Sequence, residues 1–69
     1  MQLSTRNQIA GRVTGIVRDE VVASVKVTLG TGETITAVVT SEAIDELALE
    51  SGTEVKVLVK ATEVMLAVD

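Results

Sequence analysis

Arg6, Lys60 and a handful of hydroxyls are the groups in this sequence best equipped for chemistry. What they suit is holding a small oxyanion. Arg6 follows Ser4 and Thr5 and precedes Asn7. Lys60 leads into Ala61-Thr62, and Thr40-Ser41 stands where a strand pattern gives way to a helical one. A tetrahedral oxyanion asks only for donors: guanidinium, ammonium, hydroxyl and unpaired backbone N–H. A helix start adds unpaired N–H groups and positive potential. All three segments fall at predicted strand ends, where backbone amides lack ladder partners. Thr40 and Lys60 both have outward parity on their strands, which places them at a subunit boundary rather than inside a barrel. Each also has an ordinary reading. Lys60 can be a solvated lysine that discourages edge pairing, Arg6 a charge near a frayed terminus, and Thr40-Ser41 a simple helix cap.

Other chemistries find little to work with. The 69 residues include no His, Cys, Pro or aromatic residue. That removes disulfides, thiolate and imidazole metal ligands, Cys nucleophiles and His acid–base catalysis. No metal directly ligated by side chains and no cofactor is expected. Asp19-Glu20 could be read as an acid and a base, but a charged turn explains the pair more simply. The expectation is a protein that is not an enzyme. The formal charge is −4, which gains nothing from counterion release on a phosphate backbone. Without aromatics there is also no platform for stacking bases. Neither a nucleic-acid nor a membrane partner is expected, because no stretch approaches the roughly 20 apolar residues of a span. The opening MQLSTRNQ has no basic segment followed by an apolar run, so no signal peptide is expected and the default compartment is the cytoplasm.

The elements that must position these groups are mostly strands. Val, Ile and Thr make up more than a third of the chain, a β-branched load that favours sheet. A first strand is predicted over Asn7 to Arg18, with Ile9, Val13 and Val17 on one face and Gly11 and Gly15 between them. Glycines inside a strand mark bulges, bends or close approaches, here taken as a strand bent around a small barrel. Asp19-Glu20 turns the chain. Val21, Ala23, Val25, Val27 and Leu29 then alternate with Ser24, Lys26 and Thr28. Gly30-Thr31-Gly32 closes a hairpin onto a third strand, Glu33 to Thr40, with Ile35, Ala37 and Val39 inward. From Ser41 to Leu49 the alternation breaks. Ser41 is the predicted N-cap of a helix of one to two turns, Ile44, Leu47 and Ala48 share a face, and Ser51-Gly52 ends it. Val55, Val57 and Val59 mark a fourth strand, and Thr62 to Val68 a fifth. The expected fold is mainly β: a five-stranded OB-like Greek-key barrel with one short helix between strands three and four, forming a single domain over residues 1–69.

A chain this short buries a modest core and usually needs a staple. Disulfides are impossible here, and the mean hydropathy is high for so small a protein. Association between copies is therefore expected.

Three segments carry a resemblance. Ser4-Thr5-Arg6-Asn7-Gln8 with Gly11 and Val13 resembles the SARNQ-x-x-G-x-V opening of the molbindin (Mop) family, free-standing relatives of TOBE domains. Val39 to Leu47 is similar to that family's V-T-x-E-S-V-E-E-L. Val59-Lys60-Ala61-Thr62-Glu63-Val64-Met65-Leu66-Ala67-Val68-Asp69 is similar to its I-K-A-S-x-V-M-I-x-V-D. The resemblance implies a homohexamer, a trimer of dimers with exchanged strands, that binds molybdate and also tungstate at subunit interfaces and buffers it inside the cell. It further implies a site using Ser4, Thr5, Arg6, Lys60 and Ala61 of one subunit with Thr40 and the backbone at Ala43 of its neighbour. Family members often carry Ser where this chain has Ala43, so one hydroxyl donor is missing and the Ala43 N–H is expected to donate instead. Thr5 stands in place of the usual Ala. A second class of site near the three-fold axes also belongs to the family and maps onto no particular residues here. Two alternatives remain: a ligand-free oligomerisation module, and a molybdopterin carrier, the latter disfavoured by the absence of any ring to stack on a pterin.

Overall fold

The computed structural model describes residues 6–69; Ser4 and Thr5 lie outside the described residues. The elements are β1 (Asn7–Arg18), β2 (Val22–Leu29), β3 (Thr34–Thr40), α1 (Ser41–Glu46), β4 (Glu54–Val59) and a single 3₁₀ turn, Ala61–Glu63. The four strands form one antiparallel sheet in the order β3-β2-β1-β4, curled into half a barrel.

Strand β1 is the spine. Its first half pairs with β4, from Asn7↔Val59 to Arg12↔Glu54, and its longer remainder pairs with β2, from Gly11↔Leu29 to Arg18↔Ala23. The β2 register shifts between Val13↔Val27 and Gly15↔Lys26, leaving Thr14 as the extra residue of a bulge. One extra residue reverses side-chain parity beyond it. Ile16, opposite Val25, therefore packs against the core, whereas Val17, expected beside Val13, is 77% exposed. The two glycines consequently do not share a face. A Cβ on Gly11 would lie 2.5 Å from Val27 Cγ1 and 3.2 Å from the Thr28 carbonyl oxygen, so the close approach needs a bare Cα there. Gly15 meets nothing nearer than 3.8 Å, so packing does not require its smallness.

Val13, Ala23, Val25, Val27 and Ile44 form the buried core. Ile35, Ala37 and Val39 of β3 and Val55, Val57 and Val59 of β4 turn half-buried sides to the interior. Val21, expected to extend the β2 face, precedes that strand and is exposed. Gly32 supplies the positive φ (94°) of the β2–β3 turn.

The helix departs from expectation at both ends. Its N-cap is Thr40, not Ser41: Thr40 Oγ1 accepts the Ala43 N–H at 3.0 Å, and Ser41 is buried as the first helical residue. The helix stops well before Ser51-Gly52. Ala48 adopts φ 51°, its N–H bonds the Asp45 carbonyl, and the Leu49 N–H reaches back to that of Ile44 at 3.0 Å. That is the Schellman arrangement with alanine in the left-handed position glycine normally takes. Ile44 plugs into the core, while Leu47, expected on the same face, lies exposed.

The expected fifth strand does not form within the chain. Ala61–Glu63 makes its single turn, and residues 64–69 have no ladder partner among the described residues. Val64 is half covered, and the apolar side chains beyond it meet almost nothing among the described residues. Met65 and Leu66 are each 92% exposed and Val68 is 97%.

Candidate oxyanion site

The antiparallel β1–β4 pair ends at Asn7↔Val59, where Asn7 Nδ2 donates to the Val59 carbonyl at 3.0 Å. One residue further out on each strand stand Arg6 and Lys60, both exposed. Ala61 follows at once and opens the 3₁₀ turn, which the Glu63 N–H closes on the Lys60 carbonyl at 2.8 Å. The pairing thus brings Arg6, Lys60 and Ala61 to one end of the sheet.

Thr40 and Ala43 sit at the other end. Thr40 is the last residue of β3, opposite Val22, beside the Arg18↔Ala23 terminus of the β1–β2 ladder. The twelve residues of β1, rising about 3.3 Å from each to the next, put a contour of roughly 36 Å between the two ends. The candidate residues of one chain therefore fall into two groups at opposite ends of the sheet. The cap also alters one expected donor. The Ala43 N–H is already spent on Thr40 Oγ1, so it does not point outward. Thr40, which accepts that bond, keeps its own O–H proton to donate from an exposed position.

An open groove of about 670 Å³ runs over the sheet, lined in part by Arg12, Thr14, Thr28 and Lys56. It touches none of the sequence-derived candidates, and Arg12 is engaged by Glu54 at 3.1 Å. Among the described residues no cluster of three or more His, Cys, Asp or Glu could hold a metal ion, and no helix is long and apolar enough to cross a membrane.

Residues 3–66 match the TOBE domain family. The chain belongs to that family, in its Mop group. It is 39% identical over 69 residues to the probable molybdenum-pterin-binding protein of Haemophilus influenzae, with each chain covered completely. Its fold superposes at a TM-score of 0.92 on a molybdate-binding protein from Sporomusa ovata, 33% identical, covering 97% of this chain and 98% of that one. It also matches the cytoplasmic molybdate-binding protein ModG, crystallised with molybdate, at a TM-score of 0.84 and 39% identity, covering 88% of this chain and 43% of ModG.

One cluster in this Mop domain had no signal in the sequence. The Arg18 guanidinium donates to both oxygens of Asp45 at 3.0 Å, from Nη1 to Oδ1 and from Nη2 to Oδ2. Nη2 also donates to the Ser41 carbonyl at 2.9 Å, and Nε to Ser41 Oγ at 3.3 Å. The Ser41 hydroxyl in turn donates to the Asp19 carbonyl, and its N–H to the Val21 carbonyl at 2.8 Å. Asp19 Oδ1 accepts the N–H groups of Val21 and Val22 at 2.8 and 2.9 Å. The bond and charge of Arg18 hold the Asp45 carboxyl below the usual carboxylate range and push the guanidinium up. The Val22 and Val21 N–H groups lower Asp19 likewise. The sequence marks Asp19 as a turn residue and gives no sign of its part in this network. No spacing links residue 18 to residue 45, which meet only through the sheet order and the altered parity of β1.

Proposed function

We propose that this Mop domain binds molybdate, and tungstate as well, between copies of itself and buffers the ion in the cytoplasm without transforming it. The observation that carries the proposal is the separation of the donors. Arg6, Lys60 and Ala61 stand exposed at one end of the sheet, and Ser4 and Thr5, which precede Arg6 in the sequence, are proposed to join them. Thr40 stands exposed at the other end, capping the Ala43 N–H with the oxygen of the hydroxyl whose proton it offers. A complete shell needs one end from each of two copies. Related proteins named for molybdate or molybdenum-pterin binding support the choice of ion, and the cytoplasmic relative ModG supports the compartment.

The assembly proposed is a homohexamer, a trimer of dimers, in which Val64 to Asp69 adds as a strand to a neighbour's sheet. Its Leu66 and Val68, 92% and 97% exposed, and half-exposed Val64 lie on one side of such a strand, and β3 and β4 are the edge strands of the sheet among the described residues.

Binding is passive. Arg6 and Lys60 neutralise the dianion, and hydroxyl and amide donors complete its hydrogen bonds. Each charge-assisted bond contributes about 1.5–3 kcal/mol net, so several reach micromolar affinity, near −8 kcal/mol. The Thr40 hydroxyl donates outward while accepting the Ala43 N–H, so the cap strengthens this donor by polarising it. The net charge of −4 opposes approach, but physiological salt screens it over about 8 Å. Phosphate carries a proton for which an all-donor shell has no acceptor, and sulfate is separated by its size. A ligand held between copies also tightens the assembly by linkage.

Calorimetric titration with molybdate, tungstate and sulfate, with the mass followed by light scattering, tests the proposal. The expected result is micromolar molybdate binding by an oligomer and a higher melting temperature with molybdate than with equimolar sulfate. Absence of heat and identical melting curves overturn it in favour of a ligand-free module. The relatives' names also favour a test for bound pterin, which an absorbance spectrum and elemental analysis separate from the bare oxyanion.

A further inference from the structure

We infer that Arg18 is a positioning residue for the oxyanion site: it holds the first turn of α1 against the end of β1 and so fixes where Thr40 aims its hydroxyl. The inference rests on the proposed function for its ligand but adds a residue outside the donor set. Thr40 has a strand on one side and a helix on the other, so its hydroxyl direction follows from how the helix leaves the sheet. That departure is set at Ser41. Ser41 is 4% exposed and is gripped from three directions: its N–H by the Val21 carbonyl, its hydroxyl by the Asp19 carbonyl, and its own carbonyl by Arg18 Nη2 at 2.9 Å. Arg18 reaches across to both Asp45 oxygens one turn further along. A planar guanidinium with fixed donor directions thus ties the first and last turns of a six-residue helix to the strand that starts at the other half-site.

This arrangement adds little to stability. The Arg18 and Asp45 side chains are 37% and 72% exposed, and exposed ion pairs are worth little. Its effect lies in geometry, which separates it from ordinary support of the fold.

The test is a cycle of Arg18→Met, Arg18→Lys, Asp45→Asn and the double variant R18M/D45N, each titrated with sodium molybdate and melted without it. Amide hydrogen exchange at Ala43 is measured in the ligand-free protein. Arg18→Met is expected to weaken molybdate binding about tenfold, to shift melting by only a few degrees and to speed Ala43 exchange severalfold as the cap loosens. Arg18→Lys, which keeps one donor and the charge, recovers part of the affinity. Asp45→Asn, which leaves the bond to the Ser41 carbonyl, changes affinity about twofold or less, and the double variant stays as weak as Arg18→Met. Unchanged affinity and exchange in Arg18→Met overturn the inference. So does full recovery in R18M/D45N, which assigns the effect to charge alone. A wild-type chain that binds no molybdate sinks the proposed function instead, and the Ala43 exchange rates still decide whether Arg18 positions the cap.

Discussion

The two ends of the sheet are finished to different degrees by a single chain. At the end where β3 hands over to α1, Ser41 is buried with its N–H, hydroxyl and carbonyl all engaged. Among the described residues no buried side-chain nitrogen or oxygen lacks a partner. At the end where β4 runs into the 3₁₀ turn, Arg6 and Lys60 stand in solvent, followed by a tail whose apolar side chains are almost wholly uncovered. A polar network can close within one copy because hydrogen bonds are short and directional. An apolar strip needs a surface, and this chain has already used its own inner face on Val13, Val25, Val27 and Ile44. The contrast teaches where self-sufficiency stops: the polar end is closed by the chain itself, and the apolar end is left uncovered by it.

That contrast can be broken or sharpened by experiment. The largest effect is expected from Leu66→Asp, which puts a charge on the uncovered tail. The assembly should fall apart to species near the 7.2 kDa chain mass, as measured by light scattering; an unchanged mass breaks the contrast outright. Next comes Lys60→Ala, alone and beside Arg6→Ala. Each should weaken molybdate binding tenfold or more, since one charge-assisted bond is worth about 1.5–3 kcal/mol, with melting of the ligand-free protein barely moved. Normal binding by Lys60→Ala would place the ion elsewhere.

Acid should act on the finished end. Asp19 and Asp45 both have carboxyls lowered in the fold. Their stabilisation is fully present above the unfolded carboxylate value of about 3.9 and is lost as pH falls through their lower folded values. Melting temperature should hold from neutrality to about pH 5 and fall below about pH 4, less steeply in Asp45→Asn. The smallest effect is expected from Ala48→Gly. It relieves an alanine at φ 51°, partly offset by the added freedom of the unfolded chain, so thermal melts should show a gain of no more than about 1 kcal/mol.

Much of the sheet could be read from the sequence because alternation is a strong signal where one face is buried. Ala23, Val25 and Val27 were readable as inward, as were Ile35, Ala37 and Val39. The same signal misled at Val17, because a bulge changes parity without changing composition. The run from Val64 to Val68 is apolar on both sides, and such a run reports a wish for burial without saying what grants it, so the fifth strand expected there does not form within the chain. Thr40 and Ser41 exchanged roles at the helix start because either hydroxyl satisfies a cap, and only the depth of Ser41 under the β1–β2 turn decides between them. For the proposed site, residue types nominate Arg6, Lys60 and Thr40 and the resemblance adds Ala61 and Ala43; what the ladder registers contribute is their placement at two ends of the sheet. Arg18 stayed hidden, since its partners are far off in sequence.

The single supernumerary residue in β1 has a bearing on how this chain can change over generations. Thr14 resets which side of the strand is oily for the rest of its length. Deleting it would turn Ile16 outward and Val17 inward, and swing Arg18 away from the helix in the same stroke. Length drift is therefore forbidden at that point, and insertions and losses are confined to places such as the Gly30-Thr31-Gly32 bend, where no downstream phase depends on the count.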